Sequence, residues 1–172
     1  MIITKDFILR HITMSDLNAY YECQQDKLTK KAFMHTINSK EEAKEELKEK
    51  IQDNFRKNPF GELFAIEING KFAGYIELHH LNIANEEFKG EIGYCTHPDF
   101  RRKNIASKAV KLITDYAFKK YKLKRITAIC RTFNKPSARV LKKAGYKLEG
   151  ILRKNKFKNK EYLDDMIWAK VR

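Results

Sequence analysis

Residues Glu91-Ile92-Gly93-Tyr94-Cys95-Thr96-His97-Pro98 run directly into Asp99-Phe100-Arg101-Arg102-Lys103-Asn104-Ile105-Ala106-Ser107-Lys108-Ala109. The first part reads as a strand that stops at a proline, a residue that cannot continue a hydrogen-bonded ladder. A basic turn follows, then a long amphipathic helix from Ile105 to Tyr121, with Val110, Ile113, Tyr116 and Ala117 on one face. The first amides of a helix have no partner within it and carry partial positive charge. Small residues at that end leave room for a phosphate group. Asn104 stands where the turn calls for a left-handed backbone, which Asn tolerates better than most side chains. Arg101, Arg102 and Lys103 add charge beside the same spot. An ordinary strand-to-helix turn with solvated basic residues has the same composition, and these residues alone leave both readings open.

Outward from this stretch, strands and helices alternate. Phe7 to Ile12 reads as a first strand, and Ser15 and Asp16 cap a helix carrying Leu17, Tyr20 and Tyr21. Ser39-Lys40-Glu41-Glu42 is a capping box that opens a helix to about Phe55, with Ala43, Leu47 and Ile51 facing the core. Leu63 to Ile68 and Phe72 to Leu81 form a hairpin through Asn69-Gly70. A fourth strand spans Phe88 to Thr96. After the long helix come a strand at Arg125 to Cys130, a helix at Lys135 to Ala144 stopped by Gly145, and two strands near Tyr146–Phe157 and Tyr162–Lys170, joined through Asn159 and Lys160. The order is β-α-α-β-β-β-α-β-α-β-β. A helix crossing between strands demands a local parallel pair within a mixed sheet.

A chain of 172 residues with 42% hydrophobic residues is expected to form one domain, 1–172, with its own core. It has no run near the ~20 apolar residues that span a bilayer, and Met1 to Asp6 lacks the regions of a signal peptide. Cys23, Cys95 and Cys130 form no C-x-x-C pair, and with five scattered histidines they point to neither a disulfide framework nor a metal site. The expected address is the reducing cytoplasm. The net charge of +14 is concentrated downstream, where residues 87–172 hold 24 of the 36 Lys and Arg but 8 of the 22 Asp and Glu. Such a half attracts polyanions, whether nucleic acid, ribosome or a multiply phosphorylated cofactor, or simply keeps the protein in solution.

Arg101-Arg102-Lys103-Asn104-Ile105-Ala106 resembles the acyl-CoA-binding motif [Q/R]-x-x-G-x-[G/A] of the GNAT superfamily of N-acetyltransferases, with Asn104 where the family has Gly. A second segment, Asn134-Lys135-Pro136-Ser137-Ala138-Arg139-Val140-Leu141-Lys142-Lys143-Ala144-Gly145-Tyr146, followed by Glu149-Gly150 and Leu152-Arg153, is similar to the ribosomal-protein N-terminal acetyltransferase branch. Tyr162-Leu163-Asp164 fits that branch's ending. The resemblance runs from about Phe7 to the C-terminus. It implies an α/β (mixed α+β) fold with about seven strands, a splayed parallel pair and about four helices.

The resemblance also implies roles. Acetyl-CoA would be the cosubstrate, without a metal. The strand end Cys95-Thr96-His97 would pair with the pantetheine arm, Arg102, Lys103, Asn104, Ile105, Ala106 and Ser107 would hold the pyrophosphate, and Asn134 would bond the arm. Arg139 and Lys143 would approach the adenosine end or remain solvated. Glu91 is the first choice of general base, with Glu77 in reserve, and a plain strand carboxylate is its alternative. Leu141 stands where many members have a Tyr acid; Ser137 would instead contact the leaving sulfur, or merely the helix backbone. His79, His80 and His97 are left as ordinary strand residues, and Cys95 as no nucleophile. The expected acceptor is a primary amine, a (ribosomal) protein N-terminus first and a polyamine or aminoglycoside second. Ribosome association and a monomer or dimer are the matching partner states. A nucleic-acid-binding module and a non-catalytic acyl-CoA binder are the competing readings, although no RNP, zinc-finger or helix-turn-helix pattern occurs.

Overall fold

The computed structural model describes all 172 residues. Its strands are β1 Ile2–Ile3, β2 Ile8–His11, β3 Glu62–Ile68, β4 Lys71–His79, β5 Lys89–Thr96, β6 Arg125–Arg131, β7 Lys147–Lys158 and β8 Glu161–Val171. Its helices are α1 Leu17–Gln25, α2 Lys27–Ala32, α3 Lys40–Asn54, α4 Ile105–Lys120 and α5 Lys135–Lys143. The eight strands form one sheet in the order β1-β2-β3-β4-β5-β6-β8-β7. The sequence anticipates about seven strands and four helices; the structure adds the two-residue β1 and the six-residue α2, both too short to show a period.

Turn chemistry fixes the local path. Asn69 and Gly70 both take positive φ, 49° and 73°, as the β3–β4 hairpin requires. Asn159 and Lys160 do the same between β7 and β8, at 50° and 64°. Ser39 Oγ accepts from the Glu42 amide at 3.0 Å, while the Glu42 carboxylate accepts from the Asn38 amide at 2.8 Å, one residue earlier than a strict capping box.

Two apolar layers cover the sheet. Ile76, Leu78 and Ile92 pack with Ile105, Ala109, Val110 and Ile113 of α4. On the other face Ala65, Tyr75 and Cys95 pack with Tyr20 and Cys23 of α1 and Ala43 and Leu47 of α3. Alternate residues of a strand point to opposite faces, so both layers draw on the same central strands.

The parallel pair is short. β5 and β6 pair only from Lys89–Arg125 to Glu91–Thr127. Beyond that β5 stays with β4 to Thr96 and β6 stays with β8 to Arg131, so the two part company. Helix α2 braces the opening. Arg101, just after β5, pairs with Asp26 at the head of α2 at 2.7 Å. Arg131, at the end of β6, donates through Nε to the Ala32 carbonyl at the tail of α2 at 3.0 Å and is buried against Asp165. Lys158 donates to the Lys30 carbonyl at 2.6 Å and to that of Phe33.

Candidate active site

A cleft of about 1050 Å³ follows the gap between β5 and β6. From Ile92 onward the edge of β5 that faces β6 has no strand partner, which leaves backbone groups there free for a ligand. Glu91, Gly93 and Cys95 share the face with α1 and α3, while Ile92 and Tyr94 share the face with α4 and α5.

One end of the cleft is the start of α4. Asn104 is left-handed, with φ 58° and ψ 17°, as its place in the turn requires. Its side chain does not cap the helix, whereas Asp26, Ser39 and Asn134 cap α2, α3 and α5. The first amides of α4 therefore lack an internal partner and face the cleft with their partial positive charge. Asn104 Oδ1 accepts from Ser107 Oγ at 2.7 Å and from Lys143 Nζ at 3.3 Å, which brings the α5 lysine to the same end. Arg102 is also left-handed, with φ 64°, and Lys103 lies over the Phe100 ring at 5.1 Å. Ile105 and Ser107 are buried, Ala106 is half-buried, and all three line the cleft with Arg102, Lys103 and Asn104. Arg101 is not free charge beside the helix, because Asp26 and the Thr96 carbonyl, at 3.2 Å from Nε, hold it.

The other anticipated cofactor residues divide. Cys95 and Thr96 line the cleft, with Cys95 Sγ 3.5 Å from Thr29 Oγ1. His97 turns away, to Glu22 at 3.4 Å and to its own following turn. Asn134 Oδ1 accepts from the Ser137 amide at 3.2 Å, leaving its Nδ2 without a partner in the chain.

Ser137 does reach the cleft, in company that the sequence does not announce. The Tyr94 hydroxyl lies 2.8 Å from Ser137 Oγ and 3.1 Å from the Ser137 carbonyl, to which it can donate. Burial pushes the Tyr94 hydroxyl well above the ordinary tyrosine range, so it stays protonated. Tyr94 belongs to the quoted stretch, but only its parity, opposite to Glu91 and Cys95, points it at α5.

Where the gap begins, the register sets Glu91 opposite His79 and Gly93 opposite Glu77. His79 Nε2 is 3.9 Å, and His80 Nδ1 3.4 Å, from the Glu91 carboxylate. Two of the five histidines, neighbours in sequence, thus gather at Glu91. Burial holds the His79 imidazole below its ordinary range and hence neutral. Glu77 is paired with Lys50, which leaves Glu91 as the carboxylate beside the splay without a lysine or arginine partner. Tyr20 donates to Glu46 at 2.8 Å on the same wall.

Residues 6–147 match the acetyltransferase (GNAT) domain family. The chain is 31% identical over 168 residues to "Uncharacterized N-acetyltransferase YnaD" of Bacillus subtilis (strain 168), covering 98% of this chain and 95% of that protein. Spermidine N(1)-acetyltransferase of Escherichia coli (strain K12) is 29% identical over 99 residues, 58% of this chain and 52% of that one. The solved structure of RimL, a ribosomal L7/L12 alpha-N-protein acetyltransferase in complex with coenzyme A, superposes with a TM-score of 0.85 at 21% identity, over 98% of this chain and 96% of that chain. The splayed pair, the uncapped left-handed start of α4 and a family match over most of the length agree: the chain belongs to the GNAT family of acetyl-CoA-dependent N-acetyltransferases.

Proposed function

We propose that this chain, as a single cytoplasmic catalytic domain, transfers acetyl from acetyl-CoA to the primary amine of a protein N-terminus, ribosomal proteins included. The parting of β5 and β6 next to the uncapped α4 carries the reading. Arg102 to Ser107 hold the pyrophosphate through backbone amides, with Lys143 adding charge. The free edge of β5 from Ile92 to Thr96 pairs with the pantetheine arm and polarises the thioester carbonyl. Glu91 takes the proton of the acceptor amine, directly or through water, because amines are mostly protonated at neutral pH. Ser137, backed by Tyr94, donates toward the departing sulfur. Holding the reactants together supplies much of the rate.

One observation favours a second acceptor class. Glu46, Glu77 and Glu91 line the wall on the acceptor side, and carboxylates suit a polyamine, the acceptor named for the spermidine relative. A screen of peptide N-termini and polyamines with acetyl-CoA, reading free CoA, separates the two. Turnover with peptides supports the first, turnover with polyamines alone the second, and no acetyl-CoA binding at millimolar concentration sinks both.

A further inference from the structure

β4 ends at His79, and the next residue, His80, takes φ +55°. Along a continued strand two successive side chains would point to opposite faces. The left-handed step instead brings the two rings together, with Nδ1 atoms 3.1 Å apart. The β4–β5 register sets Glu91 across from His79, and His80 Nδ1 is 3.4 Å from Glu91 Oε2. Donor atoms of all three residues lie within 4.8 Å of one another. The Phe60 ring packs edge-on against His80 at 5.1 Å and holds its imidazole in place.

The His80–Glu91 separation is that of two ligands on one small ion, and a modest rotation of the His79 ring brings one of its nitrogens to the third position. With zinc bonds of about 2.0–2.1 Å, the edges of a tetrahedron are roughly 3.3–3.4 Å. Two imidazole nitrogens and one carboxylate oxygen favour zinc, cobalt, nickel or copper over magnesium or calcium, which prefer oxygen. The fourth position opens on the cleft, where water would complete the shell.

We propose that His79, His80 and Glu91 bind a divalent transition-metal ion of the zinc class, and that this ion switches acetyl transfer off by occupying Glu91. The switch rests on the role given to Glu91 above; the binding site does not. The ion is no cofactor of the reaction, since it takes the lone pairs that would receive the proton of the acceptor amine.

The test uses the tag-free full chain, stripped with a chelator and titrated with zinc by calorimetry and with cobalt by visible absorption. One ion should bind per chain, with the cobalt bands of nitrogen and oxygen ligation. His80→Asn keeps a residue that tolerates positive φ and removes the imidazole. It should weaken binding by at least about tenfold, since even the outer partners of metal ligands are worth ~10–100-fold. Zinc should inhibit acetyl transfer with the midpoint of its binding curve, and His80→Asn should raise both midpoints together. No saturable binding, unchanged affinity in His80→Asn, or sulfur-to-cobalt charge-transfer absorption from Cys23, Cys95 or Cys130 would overturn the site. Binding at these residues without inhibition overturns the switch. A chain that binds the ion but acetylates no amine overturns the proposed function and the switch, and leaves the site standing.

Discussion

The Tyr94 hydroxyl lies 2.8 Å from Ser137 Oγ, joining β5 to the first turn of α5 across the open side of the splay. If Ser137 donates to the leaving sulfur, Tyr94 is the group that donates to Ser137 in turn. Ser137→Ala should lower kcat about tenfold, ~1.4 kcal/mol of transition-state stabilisation, with little change in acetyl-CoA affinity. Tyr94→Phe should cost a similar factor, and the double variant no more than either, because the two act as one unit. Multiplying effects in steady-state kinetics would show that the pair does not work as a relay.

Asn104 takes φ 58° with its side chain turned to Ser107 and Lys143. Asn104→Gly should keep acetyl-CoA affinity, since glycine adopts this backbone freely. Asn104→Val should weaken it by roughly tenfold, because a left-handed backbone costs non-glycine residues ~1–2 kcal/mol and β-branching adds to that. Calorimetry on the three proteins decides; equal affinities would remove the turn from the binding site.

Removing the carboxylate in Glu91→Gln should depress kcat/KM by ~10²–10⁴-fold in metal-free buffer. The loss should be deepest at low pH, where the acceptor is almost entirely ammonium, and should shrink as free amine accumulates. A pH-independent loss would assign Glu91 an electrostatic or structural part instead.

Asp26 ties α2 to the turn before α4. Burial pushes its carboxyl up, but the Arg101 guanidinium and the Thr29 amide outweigh this and hold it below the usual carboxylate range. A carboxyl depressed on folding adds stability that is complete above its unfolded pKa of about 3.9 and fades as pH falls through the lower folded value. Asp26→Asn still caps α2 but loses the charge. It should cost ~1–3 kcal/mol at pH 7 in urea unfolding, and the gap to wild type should close in strong acid. A gap of constant size across that range would show that the ion pair is not its source.

What could be read in the sequence was local. Asn69-Gly70 names its own turn, and Asn104 and Gly145 announce left-handed residues with no neighbour consulted. The site's remainder depends on alignments between distant segments. His79 meets Glu91 only through a register set across a twelve-residue interval, and His80 joins them by a backbone sign no composition rule gives. Tyr94 and Ser137 meet because α5 returns over the gap. Arg101 reads as a phosphate ligand until α2, six residues without a visible period, supplies Asp26.

The alternation of β5 has a kinetic consequence. Ile92 and Tyr94 lie on the α4–α5 side and Glu91 and Gly93 on the α1–α3 side, so under the proposed function donor and acceptor would approach one strand from opposite faces of the sheet. On that arrangement neither would have to leave before the other arrives, and no residue would need to store the acetyl group in between. Initial rates measured against both substrates should therefore give intersecting double-reciprocal lines, the mark of a ternary complex, and a CoA-first release pattern with parallel lines would contradict this geometry.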